Sequence, residues 1–152
     1  MKWFILILII TALPATYIMN KRAKTNVEMD ASVAHRLILS EDSIYGLEIF
    51  NSEEQRVKGL SGRDHFDGKK GALFVFEKKG YYGMWMKDMN VSIDIIWMNE
   101  AYKIVHLISE ATPESYPHIF YPDSPALYVL ELPSGTIMTE QLEKGLVLNI
   151  DY

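Results

Sequence analysis

The sequence predicts an α+β, β-dominated fold: a mostly antiparallel, curled or barrel-like sheet with two short helices, preceded by an N-terminal hydrophobic helix. Three observations predict it. Short apolar runs recur from residue 35 onward, separated by Gly, Pro, Ser, Asn and Asp turn residues. Only two places in that stretch carry helix signals. An uncharged run, residues 3–19, opens the chain.

The elements follow in order. Residues 35–39 and 45–50 are apolar runs around Ser40-Glu41-Asp42-Ser43, a turn-rich tetrad, and predict a hairpin. Ser52-Glu53-Glu54-Gln55 has capping-box spacing, so a short helix should run through Arg56 and Lys58 and stop near Gly59. Gly62 and Gly68 then punctuate a loop. Residues 72–77 (ALFVFE) read as a buried strand, and residues 84–87 follow Gly80 and Gly83 as another. Residues 91–98 alternate, with Val91, Ile93, Ile95 and Trp97 on one face. Residues 102–108 form the next strand. Residues 112–125 hold four prolines, which exclude a regular element and predict an irregular loop of the kind that often rims sites. Residues 127–132 are a strand, 139–144 a short helix and 146–150 a final strand.

Seventeen residues of helix span about 25 Å at ~1.5 Å per residue, near the short end of what crosses a bilayer. Residues 1–20 therefore read as a signal anchor or signal peptide, 21–34 as a tether and 35–152 as one β-rich domain. The absence of an Ala-x-Ala site and the stop at Lys21-Arg22-Ala23-Lys24 favour an uncleaved anchor. That reading makes membrane lipid a partner through residues 3–19. It places the domain outside the cytoplasm, tethered, or secreted if the segment is cleaved.

Beyond residue 24 the chain carries eleven basic against twenty acidic residues, a balance that repels phosphate backbones and argues against nucleic acid. With no cysteine, disulfides, thiolate nucleophiles and thiolate metal sites are excluded. His35, His65, His106 and His118 lack metal-ligand spacing, and Met84, Met86 and Met89 read as core filler before they read as a Cu(I) site. No cofactor or metal is expected.

Several short motifs occur in sequence. Arg56-x-x-Gly59-Leu60-Ser61-Gly62-Arg63 comes first, then Gly71-Ala72-Leu73-Phe74-Val75-Phe76. Trp85-Met86-Lys87-Asp88-Met89, Asp94-Ile95-Ile96 and Tyr128-Val129-Leu130-Glu131-Leu132 with Gly135 follow. Over residues 45–152 the chain resembles the domain of unknown function 192 family, an uncharacterised bacterial and archaeal group. The resemblance implies a small β-rich, barrel-like domain, often exported, and no known reaction. Ala72 stands where the family usually has Met, and Met84 where it commonly has Phe.

Charged residues inside apolar strands are the first candidates for chemistry. Lys87 follows Trp85-Met86, Asp94 sits among isoleucines and Glu131 lies within YVLEL; each is costly to bury unless paired. The economical arrangement is one cluster, with Lys87 and Arg63 facing Asp94 and Glu131. Its plainer meaning is a set of ion pairs fixing strand register. Its functional meaning is a ligand site of Arg63, Trp85, Lys87, Asp94 and Glu131, holding a small polar ligand such as a saccharide against aromatic side chains. Tyr81, Tyr82 and Trp97 flank the same region. Two alternatives stand beside it: a small hydrolase with Asp94 and Glu131 as an acid–base pair, and a structural or partner-interaction module.

Overall fold

The computed structural model describes residues 35–152. In chain order the elements are β1 (Arg36–Ser40), β2 (Ser43–Phe50), α1 (Glu53–Lys58), β3 (Lys70–Gly80), β4 (Met84–Trp85), β5 (Ile93–Met98), β6 (Ile104–Ala111), a 3-10 turn (Pro113–Ser115), β7 (Ile119–Phe120), β8 (Ala126–Pro133), α2 (Thr136–Thr139) and β9 (Asn149–Asp151). Seven strands form one sheet in the order β6-β5-β8-β3-β2-β1-β9, and β4 pairs with β7 in a separate ribbon. Every pairing is antiparallel except β2 with β3, whose connection carries α1. A parallel pair needs such a crossover, because a tight turn can only reverse the chain.

The central strands β5, β8 and β3 are buried on both faces. This is why IDIIWM, YVLEL and ALFVF read as nearly continuous apolar runs. One face packs Leu73, Leu130, Ile96 and Leu132 with Ile137 and Leu142 from the α2 region. The other packs Phe74, Val129, Trp97 and Ile95 with Leu60, Phe66, Met86 and Met89 from the connections around α1 and β4.

The α+β, strand-dominated character and the two short helices agree with the sequence reading. The curled or barrel-like sheet does not. The sheet is open, with β6 and β9 as its edges. A barrel needs its edge strands laddered along their length. Here the ends meet only where residues 102–104, at the start of β6, exchange three backbone bonds with residues 145–148 before β9, around the Lys103–Val147 bridge. A second apolar core also covers the face that a simple barrel would turn to solvent.

The predicted 139–144 helix is also displaced: α2 starts at Thr136. The N–H of Ile137 donates to the buried Asp94 carboxylate (2.7 Å), so the helix start is fixed by a strand distant in sequence instead of by a local cap. The hydrophobic segment 3–19, the anchor or signal reading of 1–20 and the tether 21–34 lie outside the described residues. Among the described residues no helix is long and apolar enough to cross a membrane.

Candidate functional site

A cleft of about 240 Å³ lies between α1, the loop after it, β3 and the β4 ribbon. Local sequence builds its first wall. The Ser52 hydroxyl accepts from the Gln55 N–H while the Gln55 side chain accepts from the Ser52 N–H, the capping box expected from the spacing. Arg56 then ties α1 to β3: its guanidinium donates to the carbonyls of Asn51 (2.7 Å) and Val75 (2.9 Å) and lies 5.2 Å from the centre of the Phe76 ring. Gly59 turns the chain with φ +48°, and a Cβ there would stand 3.4 Å from the Phe74 ring. Only glycine takes that turn without strain so close to an aromatic wall.

The opposite wall is held by longer-range bonds. Ser61 donates to the Lys87 carbonyl (3.1 Å), and the Gly62 N–H to the Asp88 carbonyl (2.7 Å). Tyr82 stacks on Phe76 with centroids 3.5 Å apart and planes 9° apart. The indole N–H of the buried Trp97 donates to the Tyr82 carbonyl (2.8 Å), anchoring that segment to the sheet. Val57 and Trp85 stand on the rim, 68% and 46% exposed.

Glu131 forms the floor. Register places it beside Ala72 on β3 and Ile95 on β5, so its side chain shares their face. It is 4% exposed, and its Oε2 has no hydrogen-bond partner. Burial pushes its carboxyl up to about 8, an effect that the positive charge of Arg63 only partly opposes. Glu131 is therefore largely protonated at neutral pH. Arg63 is paired instead with Glu48, one guanidinium nitrogen donating to both of its oxygens at 2.7 and 2.9 Å.

Asp94 is elsewhere. It pairs across strands with Leu132, one residue on from the Ile95–Glu131 pair, and so points to the opposite face of the sheet. There its Oδ1 accepts from the N–H groups of Glu110 (2.8 Å) and Gly135 (3.3 Å), and its Oδ2 from that of Ile137. This carboxylate is a structural acceptor that closes the end of β6 and the start of α2. The acid–base pair expected of Asp94 and Glu131 is not assembled, since the sheet itself separates them. Lys87 is exposed and does not line the cleft. Of the five residues expected to converge, Trp85 and Glu131 share the cleft, Arg63 lies beside it, and Lys87 and Asp94 are apart.

The sequence reading missed a second polar cluster. Ser43 and Tyr45, alternating on β2, both donate to Glu140 Oε1, and Lys69 donates to Ser43 (2.9 Å) and Glu140 (3.3 Å) while lying over the Tyr45 ring. A Ser–Lys pair suggests a nucleophile and its base. The electrostatics oppose that role. Burial alone would lower Lys69, but its bonds and charge interactions with Tyr45 and Glu140 outweigh it and raise the ammonium. The Ser43 hydroxyl, which donates to Glu140, is the leading cause of that carboxylate's depression, against burial and together with Tyr45 and Lys69. A lysine held cationic is no base, so this is a network that pins α2's end to β2. Only the i, i+2 placement of Ser43 and Tyr45 was visible locally.

The reading as a membrane-tethered extracytoplasmic domain binding a small polar ligand or saccharide is corrected on two grounds. The polar groups needed to orient such a ligand do not converge: Arg63 is consumed by Glu48, Asp94 by backbone N–H groups, and the Phe76 and Tyr82 faces by each other. The membrane and lipid-partner part, with the location it implied, is corrected as well: among the described residues no helix is long and apolar enough to cross a membrane. Two solved structures are similar. A protein from Sinorhizobium meliloti 1021, provisionally assigned as a transcription regulator, superposes with a TM-score of 0.68 at 28% identity, over 76% of this chain and 90% of that one. A protein of unknown function from Novosphingobium aromaticivorans DSM 12444 superposes with a TM-score of 0.67 at 18% identity, over 78% and 83%, and shows the fold alone. No curated protein matches the chain. Residues 35–150 match DUF192, described as "Uncharacterized ACR", and the chain belongs to that family.

Proposed function

We propose that residues 35–152 form a partner-interaction module whose contact surface is the cleft beside α1. The observation that carries this reading is the cleft itself. It is open and mainly apolar, and its rim leaves Val57 and Trp85 exposed. Exposed aromatic and aliphatic side chains around a preformed hollow are the usual anchor points of protein recognition. Tyr81 and Tyr121, 60% and 56% exposed, extend the aromatic surface near the β4 ribbon. Likeness to a protein provisionally assigned to transcription regulation is compatible with a role exerted through other macromolecules. The acidic balance of the chain beyond residue 24 directs that role toward protein rather than nucleic acid.

Position-specific photo-crosslinking of the full chain in its native host tests this. A photoreactive residue at Val57 or Trp85 should give one discrete protein adduct. The same residue at Met138 or Val147, also exposed but outside the cleft, should not. With the probe at Trp85, V57E should abolish the adduct without lowering thermal stability. Equal adducts from all four positions, or none from the cleft, would overturn the reading.

A further inference from the structure

Resting on that reading, we propose that the partner is an acidic peptide segment: an apolar side chain seats between Val57 and Trp85, and flanking carboxylates settle on Lys58 and Arg56. The argument starts at α1, which is six residues long and buries none of them. Short helices usually owe their stability to an apolar face packed on the core, and α1 packs none. It is held instead by its capping box and by the two carbonyl bonds of Arg56. Its surface is thus not committed to the core. Its last turn, Arg56-Val57-Lys58, lines the cleft as a cation, an apolar side chain and a second cation.

The charges of the cleft favour an acid. Arg56 and Lys58 face one ionised acid, Glu53, because Glu131 is largely protonated at neutral pH. The polar hollow next to the cleft shares Lys58, Gly59 and Ser61 with it. That hollow adds Arg63 and Glu48, an ion pair without net charge. Beyond residue 24 the chain carries eleven basic against twenty acidic residues, so a cleft of net positive charge runs against the background of the molecule. Arg56 is also prepared for a carboxylate. Nη1 makes both of its carbonyl bonds, and among the described residues Nε and Nη2 make none. A guanidinium fixed at one nitrogen offers the others as preset donors, and its bonds to a carboxylate are charge-assisted. Lys58 enters no ion pair among the described residues. The apolar side chain between these cations completes the selection. Exposed ion pairs contribute little alone, and an anchor that displaces water from the cleft strengthens them.

The test is calorimetric titration of the full chain with capped heptapeptides whose central leucine is flanked on both sides by Glu, Gln or Lys. At low salt the Glu peptide should bind at least about fivefold tighter than the Gln peptide, and the Lys peptide most weakly. The preference should collapse at about 1 M salt, which screens the rim charges. K58E, a change at an exposed position, should erase or invert the order. K87E makes the same charge change at an exposed residue outside the cleft and should leave the order intact. W85A should weaken all three peptides alike and keep the order. Equal or absent binding of the three peptides, a preference for Lys, a Glu preference that survives in K58E, or one lost equally in K87E would overturn the acidic-segment proposal. Cleft-specific cross-linking at Val57 would persist in that case if the partner reading is right. Its loss with a retained Glu preference would overturn the partner reading instead.

Discussion

Asp94 and Glu131 are two carboxyl groups on neighbouring strands, one residue apart in register and both buried, yet they live in opposite conditions. Asp94 faces the side of the sheet closed by α2 and accepts three backbone N–H bonds. Glu131 faces the side left open by the cleft, and its Oε2 accepts none. Burial of a polar group is thus not one property. With its bonds made, it locks loops that carry no local capping signal of their own. With its bonds unmade, it leaves a polar atom waiting at the bottom of a hollow.

The comparison can be broken most sharply at Asp94. D94A leaves three donors without their acceptor and should cost about 4 kcal/mol, at roughly 1–3 kcal/mol per orphaned buried donor with partial relaxation. Urea denaturation at pH 7 measures this. A loss below about 1 kcal/mol would mean that the three bonds do not hold the β6 end and α2 start. At Glu131 the effect reverses sign and depends on pH. Its native carboxyl titrates near 8 against an ordinary value of 4.5, so between those limits the folded state holds the extra proton. Its contribution is therefore complete below pH 4.5 and is lost as pH rises through 8. E131Q should remove that slope and be more stable than the parent at pH 8, by about 2 kcal/mol once water drawn in by ionisation is allowed for. Parallel stability–pH curves for the two proteins would refute the orphaned-acid description. The smallest effect belongs to Glu140, a carboxylate that is satisfied but partly accessible. E140Q should cost about 1 kcal/mol, since the amide oxygen still accepts from Ser43 or Tyr45 while the attraction to Lys69 is lost. Thermal unfolding of E140Q beside K69M, which should show a similar loss, checks that the pair acts together.

Much of the fold was legible because it is written in local pattern. The 35–39 and 45–50 runs became β1 and β2, and the Ser52–Gln55 spacing became a capping box with Gly59 at its end. The apolar runs at 72–77, 91–98 and 127–132 became the central strands. Less of the site was legible. Lys87, Asp94 and Glu131 stand out because a charge inside apolar sequence is costly to bury, Arg63 as a cation to pair with them and Trp85 as an aromatic face; the structure buries Asp94 and Glu131 and leaves Lys87 exposed. Sequence alone could not assign the two carboxyls to faces. Strand alternation fixes which residues of one strand share a side, but not how that side registers with the next strand. The Ser43, Tyr45, Lys69 and Glu140 network was invisible for the same reason, its members lying up to 97 positions apart.

By itself, then, the sequence determined the strand-dominated class, the two short helices, the start and stop of α1, the family, and the identity of the carboxyl groups that burial would make costly. These follow from periodicity, capping and turn chemistry within a few residues. Only the tertiary structure decided that the sheet stays open, that α2 begins on an Asp94 bond, and that Asp94 and Glu131 face apart. Those outcomes depend on strand order and cross-strand register. Both are set by packing two apolar faces at once, a condition no local stretch of chain contains.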